Sequence, residues 1–309
     1  MPLRDLELDL PDRREGKVRI SWSLSSDRRL MVTTDRLSAF DRVVAVVPHK
    51  GQVLNQLSAW WCEATSDIIS NHFVSMPAPQ AMVVQNAKPL AVEVVVRGAL
   101  TGSTTTSLLP RYLRGERQMY GHTFADGLAP HCLLPAPIIT PTTKAGRGGH
   151  DEPLSSDEVV SRGLIDETTW SAVCTAALAL FARGQVVAAQ AGLILADTKY
   201  EFGVDAYGQL LLIDEIHTPD SSRLWMKKSL ADRLAAGREP ESVDKEPVRL
   251  ALAAVGYRGD GPVPVIDAEV IAATSLRYIE AYERITGEVF VAAEDLHAAA
   301  LLAAVSETA

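Results

Sequence analysis

Residues 195–225 read LADTKYEFGVDAYGQLLLIDEIHTPDSSRLW, and no other stretch limits the fold as strongly. An uncompensated carboxylate in an apolar sheet costs on the order of several kcal/mol, so the fold must bring cations or a metal to these acids. GLILADTKYEF is rich in apolar, β-branched and aromatic residues, GVDAYG supplies turn chemistry, and QLLLIDEI resumes the apolar run, which together predict a β-hairpin. With Ala206 and Tyr207 at the tip, Asp205 faces Gly208, Lys199 faces Asp214 and Glu201 faces Leu212. Side chains alternate along a strand, so Asp197, Lys199 and Glu201 then share one face with Leu212 and Asp214. Glu201 and Asp214 become diagonal neighbours, roughly 7–8 Å apart at Cα. Two hard oxygen ligands beside a lysine suit Mg²⁺ carrying nucleotide phosphates. The same residues also suit a salt-bridge cluster on a solvated sheet face.

The rest of the chain sets the context. At 309 residues it can bury a large core and form two lobes. A net charge of −9 argues against general binding to nucleic acid or an anionic membrane. Cys62, Cys132 and Cys174 are too few and too scattered for a disulfide framework or thiolate zinc site. The N-terminal MPLRDLELDLPDRREGK lacks the apolar core of a signal peptide. No apolar run approaches the ~18–20 residues of a membrane span, so a cytoplasmic protein is expected.

KVRISWSL, RLMVTT, RVVAVVP, AMVVQNA and AVEVVVR predict short strands, interrupted by a helix over 54–69. The Pro/Gly-rich region 109–153 predicts a long functional loop carrying Lys144, Arg147, His150, Asp151 and Glu152. Helices are expected over 166–191, with Gly192 just past the end, and over 267–286 and 292–305.

Four further stretches carry candidate site residues. GKVR, with Lys17 and Arg19, is a glycine followed by a basic β-type run suited to covering a nucleotide, far short of a Walker motif. TTDRLSAFD gathers Asp35, Arg36, Ser38 and Asp41 after an apolar strand. VEVVVRGALTGS offers Arg97, Thr101 and Ser103, and TPDSSRLW offers Ser221, Ser222 and Arg223; arginine with hydroxyls and backbone amides binds anions. Each alone reads as an ordinary turn. Two anion sets, a carboxylate pair and a long polar loop together favour an enzyme acting on phosphorylated substrates.

GKVR, TTDRLSAFD, KGQVLNQLSAWW, VEVVVRGALTGS, ITPTTKAGRGGHDE, LADTKYEFG, IDEIHTPDSSRLW and YIEAYERITG resemble, in number and order, the motifs of the SAICAR synthetase family, over residues 16–287. The resemblance implies an α+β, two-lobed fold similar to ATP-grasp and kinase folds. An antiparallel N-terminal lobe (1–89) would cover ATP, and a larger α+β lobe (90–309) would carry the metal and substrate site. It implies a ligase that phosphorylates the carboxylate of carboxyaminoimidazole ribotide with MgATP and couples it to L-aspartate. In that scheme Lys17 and Arg19 lie at the ATP phosphates, and Glu201 and Asp214 hold Mg²⁺. Asp197 and Lys199 lie at the reacting carboxylate, while Arg97, Ser103, Ser222 and Arg223 bind the ribotide. Asp35, Ser38 and Lys144 line the substrate end. The implied partners are small molecules, the ribotide and aspartate or a related amine, with no oligomeric state specified.

The chain departs from the family pattern at Ile20, Gln85, Asn86, Ala99, Thr104 and Thr105, and more mildly at Thr142–Thr143 and Val243. That pattern also fits a paralogous carboxylate–amine ligase of specialised metabolism with another carboxylate or amine. A non-catalytic nucleotide-binding protein fits less well, because Lys199, Glu201 and Asp214 are retained.

Overall fold

The computed structural model describes residues 1–40, 42–144 and 151–308; Asp41, Arg147 and His150, named above, lie outside them. The N-terminal part begins with β1 (Arg14–Glu15), β2 (Arg19–Ser23) and β3 (Arg28–Thr33), then a separate hairpin of β4 (Arg36–Ala39) and β5 (Arg42–Val46). Helix α1 (Lys50–Ala64) leads to β6 (Phe73–Ala78) and β7 (Ala81–Gln85), which complete an antiparallel sheet of order β1-β2-β3-β7-β6. Alternation in RISWS buries Ile20 and Trp22, which pack with Leu30, Val32 and Val83 on one face of this sheet.

The short β8 (Lys88–Pro89) leads into β9 (Val92–Ala99), helix α2 (Leu108–Leu113) and the two-residue strands β10 (Gln118–Met119) and β11 (His122–Thr123). The region expected as a loop then contains an eleven-residue strand, β12 (Leu133–Thr143). Prolines 135, 137 and 141 argue against a strand in sequence terms. They are tolerated because β12 is the edge of its sheet and its register shifts between Leu133 and Ile138.

Helices α3 (Ser156–Ser161) and α4 (Glu167–Gln190) follow. The start of α4 is capped by Asp166, whose side chain accepts from Thr169 N at 2.9 Å, and Gly192 beyond its end has φ +73°. Its apolar stretch is longer than the sequence reading allowed, reaching a mean hydropathy of 1.6 over 18 residues. Val173, Ala177, Leu180 and Phe181 are nevertheless fully buried, so this length belongs to a core helix. They pack on Val92, Val94, Val96, Tyr200 and Phe202, the inward faces of β9 and of β13 (Leu193–Val204).

The hairpin partner β14 (Leu210–Ile213) and then β15 (Ser222–Met226) both pair with β13, giving the order β12-β9-β13-β14 with β15 and β8 also on β13. Helices α5 (Lys227–Ala235), α6 (Glu246–Ala254), α7 (Ala268–Thr286) and α8 (Ala298–Thr308) complete the chain. The last helix starts later than expected. Its Leu301 and Val305 return to the first sheet's core beside Ile20 and Trp22, so the chain's end closes on its beginning. The two sheets meet where His72 N donates to Leu212 O at 3.0 Å and Gln85 Nε2 donates to Asp205 at 3.0 Å.

Candidate active site

The charged face is built by β9, β13 and β15. Across β9 and β13 the Cα partners are Arg97–Asp197 and Val95–Lys199, and across β13 and β15 Asp197 also faces Arg223 and Thr198 faces Ser222. Period-two alternation therefore sends Asp197, Lys199 and Glu201 to the same side as Arg97 and Glu93. Asp197, 3% exposed, accepts from Arg97 NH1 at 3.1 Å and from Arg223 NH1 at 3.1 and 2.8 Å. Thr140 on β12 takes the Arg97 Nε at 2.9 Å. Burial lowers the Arg97 pKa from its ordinary value, with Asp197 opposing that effect. For Arg223, burial also favours the neutral form, but Asp197 and Glu246 outweigh it and raise the pKa.

Two residues further along, Lys199 donates to Glu93 at 2.9 Å and to Glu201 at 2.6 Å. Lys144, at the end of β12, reaches the other Glu201 oxygen. Burial alone would depress the Lys199 ammonium, yet Glu201 and Glu93 hold it above the usual lysine range. Burial likewise would raise Glu201, but Lys199 and Lys144 hold it well below the usual carboxylate range. Glu93 stays raised, chiefly by burial, with Lys199 opposing.

The hairpin register differs from the expected one by a single residue: Glu201 faces Ile213 and Phe202 faces Leu212. The cause is the turn. Asp205 Oδ1 accepts from Tyr207 N at 2.9 Å and Gln209 N at 2.8 Å, and Gly208 has φ +82°, so the connection is longer than two residues. Lys199 therefore does not face Asp214, and Ile213 takes the position opposite Glu201. Asp214, just past the end of β14, has φ +66°, and its carboxylate pairs with Arg19 from the first sheet. The same guanidinium bonds Glu215, which also accepts from the Thr218 hydroxyl. His72, buried beside this junction, is acted on by both Arg19 and Glu201, and burial lowers its pKa to about 3.

Glu201 and Asp214 thus offer hard oxygens already bonded to protein cations, a donor set that fits a divalent ion accompanied by phosphates. Among the described residues no group of three or more His, Cys, Asp or Glu could hold a metal, so a cage made by the protein alone is absent from them.

The other expected residues are placed as follows. Lys17 is exposed just before β2. Asp35 is buried, with Oδ1 accepting from Gly51 N at 2.8 Å and Oδ2 from Leu3 N at 2.7 Å, so its carboxylate serves the first turn of α1. A side chain at Gly51 would stand 2.3 Å from Thr33 O, which accounts for the glycine in KGQVLNQ. Ser38 is half-buried on β4. Ser222 Oγ lies 2.8 Å from Thr198 Oγ1, and Ser103 helps to lower Glu246.

Several charged residues were not expected. Lys50 is fully buried, 2.8 Å from Asp220, which also accepts from Tyr278 at 2.5 Å and lies 3.8 Å from Lys245. A lysine in a helix's first turn ordinarily reads as surface. Glu93 could have been found from its four-residue spacing to Arg97 on one strand face. Glu246, bonded by Arg223 at 3.4 Å and Arg249 at 3.0 Å, follows the Asp-Lys of SVDKEP. Among the departures, Ile20 lies in the first sheet's core, and Ala99 packs against Trp225.

Known proteins resemble this chain in sequence and fold. The sequence profile of the SAICAR synthetase family matches residues 12–264. A relative from Mesorhizobium japonicum, named putative phosphoribosylaminoimidazole-succinocarboxamide synthase 2, is 50% identical over 283 residues, 92% of this chain and 90% of the relative. The phosphoribosylaminoimidazole-succinocarboxamide synthase of Legionella pneumophila (strain Lens) is 47% identical over 94% of this chain and 93% of its own. The SAICAR-synthase from Saccharomyces cerevisiae, solved complexed with SAICAR, superposes with a TM-score of 0.78 at 31% identity, covering 93% of this chain and 99% of that one. A type-2 SAICAR synthetase in complex with ADP gives 0.70 at 26% identity, over 91% and 100%. With the family profile spanning most of the chain and a shared architecture, this protein belongs to the SAICAR synthetase family, a family of ligases of purine biosynthesis.

Proposed function

We propose that this chain phosphorylates the carboxylate of carboxyaminoimidazole ribotide with ATP and couples it to L-aspartate. The observation that carries this reading is Asp197 held between Arg97 and Arg223 by strand pairing, with Lys199 and Glu201 next on the same face. A carboxylate is a poor acyl donor. When its oxygen attacks the γ-phosphorus, ADP leaves and an acyl phosphate forms; the amine nitrogen then attacks the carbonyl carbon, phosphate departs and the amine loses a proton. Glu201 and Asp214 would hold Mg²⁺, which offsets phosphate charge when bound. Lys17 and Arg19 reach the phosphates from the first sheet, and Lys199 and Lys144 supply further positive charge at the transferring group. Arg97, Ser103, Ser222 and Arg223 shape the ribotide end. Asp35 contributes by bracing the start of α1 and the N-terminal segment.

The division into a nucleotide-covering lobe (1–89) and a larger lobe (90–309) belongs to the same proposal. It places ATP at the junction that Arg19 crosses. A cytoplasmic site of action accords with three unpaired cysteines. The test is ADP release that requires both ribotide and L-aspartate, with mass detection of the amide. No stimulation by that pair overturns the reading.

A second reading, a ligase of the same class with another carboxylate or amine, is favoured by Ala99 and Thr104. Ala99 packs on Trp225, which lines the cavity beside Ser103 and Arg223, and Thr104 Oγ1 lies 2.7 Å from Ser107 Oγ in the adjoining loop. Turnover of a different pair in the same screen would select it.

A further inference from the structure

Strand pairing alone does not set the spacing of Glu201 and Asp214. β14 ends at Ile213, opposite Glu201, and Asp214 lies beyond the ladder in a left-handed conformation, φ +66°. Three residues later His217 is left-handed as well, φ +48°. Two such non-glycine residues so close together keep their shape only where the surroundings fix them.

The fixing contacts converge on the His217 side chain, which is 1% exposed. Its Nε2 is hydrogen-bonded to the Tyr200 hydroxyl, and its ring stands edge-on to Trp61 of α1, with centroids 4.4 Å apart. Helix α4 makes room for it. A Cβ at Gly184 would lie 2.4 Å from His217 Cε1 and 2.7 Å from Leu195 Cδ2. A glycine inside a 24-residue helix weakens that helix, and here it supplies the space that the imidazole fills. The Nδ1 atom is buried without a hydrogen-bond partner among the described residues, a cost that an apolar residue of similar size would avoid. What the imidazole adds over such a residue is the bond to Tyr200. Tyr200 stands on β13 between Lys199 and Glu201, with its side chain on the opposite, inward face. The bond therefore ties the loop that carries Asp214 to the backbone that carries Glu201.

We propose that His217 is a positioning residue: bonded to Tyr200 and seated against Gly184, it holds the left-handed loop 214–217 so that the Asp214 carboxylate keeps a fixed distance from Glu201. His217 faces the interior and acts through Asp214. This rests on the ligase reading above, in which those two carboxylates hold Mg²⁺ with the nucleotide.

The test compares wild type with Tyr200→Phe, His217→Gln and His217→Leu, each first checked for folding by circular dichroism. ADP is titrated calorimetrically with saturating Mg²⁺ and again with a chelator, and kcat and the KM values for ribotide and aspartate are measured. Tyr200→Phe keeps the ring but loses the bond. It should weaken ADP binding in the presence of Mg²⁺ and lower kcat by about 10-fold each, the factor for one buried hydrogen bond. ADP affinity with chelator and both KM values should stay within about twofold. His217→Gln, whose amide still reaches Tyr200, should retain more of both properties than His217→Leu, which fills the slot with apolar volume alone. A role in packing alone predicts the reverse order. Equal Mg²⁺-dependent ADP affinity in wild type and Tyr200→Phe overturns the proposal, as does an equal loss with chelator, or His217→Leu outperforming His217→Gln. If Tyr200→Phe does not fold, the order of the two His217 variants decides. A wild type without Mg²⁺-dependent ADP binding also overturns it. A wild type that binds ADP with Mg²⁺ but forms no amide from ribotide and aspartate overturns the ligase reading instead, and the titrations still decide the role of His217.

Discussion

The two ends of the charged face are assembled differently. At one end Asp197 meets Arg97 and Arg223, each directly across a strand ladder, so backbone hydrogen bonds set the geometry. At the other end the partners converge from separate elements: Arg19 from the first sheet, Lys144 from the end of β12 and Asp214 from a left-handed turn after β14. The ladder end is rigid because moving a charge would mean moving a strand. The convergent end can exchange partners, since Arg19 and the two lysines can pass from carboxylate to phosphate by side-chain rotation. A site that must hold one substrate still while nucleotide enters and leaves benefits from this division.

Substitutions can break that comparison. The largest effect is expected for Asp197→Asn, which leaves two buried arginines facing a neutral amide. Turnover should disappear, and denaturant unfolding should show a loss of about 3–5 kcal/mol. A loss below about 1 kcal/mol, the range of surface substitutions, would show that the ladder end is not rigidly interdependent. At the convergent end, Glu201→Gln and Asp214→Asn should cut ADP release by about 100-fold or more while the fold persists. They should also raise the Mg²⁺ concentration needed for half-maximal rate. Near-normal turnover would remove either residue from the metal site.

A fourth substitution concerns the sheet that brings Arg19. Ile20→Asp would bury a carboxylate beside Trp22 and Leu30. Unfolding measurements should show a loss of about 3 kcal/mol. Unchanged stability would mean that this sheet can turn position 20 towards the nucleotide.

The smallest effect is a pH signature beside the ladder end, where neighbouring acids shift in opposite directions. Burial, assisted by Glu246, raises Asp244 from 3.8 to about 6. The folded state therefore binds the extra proton between those values, and stability from this group falls as pH rises through that window. Burial would raise Glu246 too, but Arg223 and Arg249 lower it from 4.5 to about 2. Its contribution is present above 4.5 and is lost as pH falls towards 2. Asp244→Asn should flatten the unfolding free energy between pH 4 and 6, and Glu246→Gln should flatten it between pH 4.5 and 2. Identical profiles for both variants would refute the opposed shifts.

Local chemistry was legible in residue order. Period-two alternation placed Asp197, Lys199 and Glu201 on one face, and Asp166 with Gly192 bounded α4. The hairpin was legible but its register was not, because a carboxylate-braced turn at Asp205 adds a residue that alternation cannot reveal. Strand β12 was hidden by its prolines, since edge position is a property of the assembled sheet. Lys50 and Asp220 were hidden because a buried ion pair joins residues 170 positions apart that carry no local signal.

The amino-acid order by itself determined the chemical class of the site, because carboxylates, lysines and arginines in alternating strands can satisfy one another only on a shared face. Which cation serves which carboxylate was decided by tertiary structure alone. Ion pairing depends on distances of a few ångströms between elements remote in the chain, and those distances arise from sheet order and helix packing.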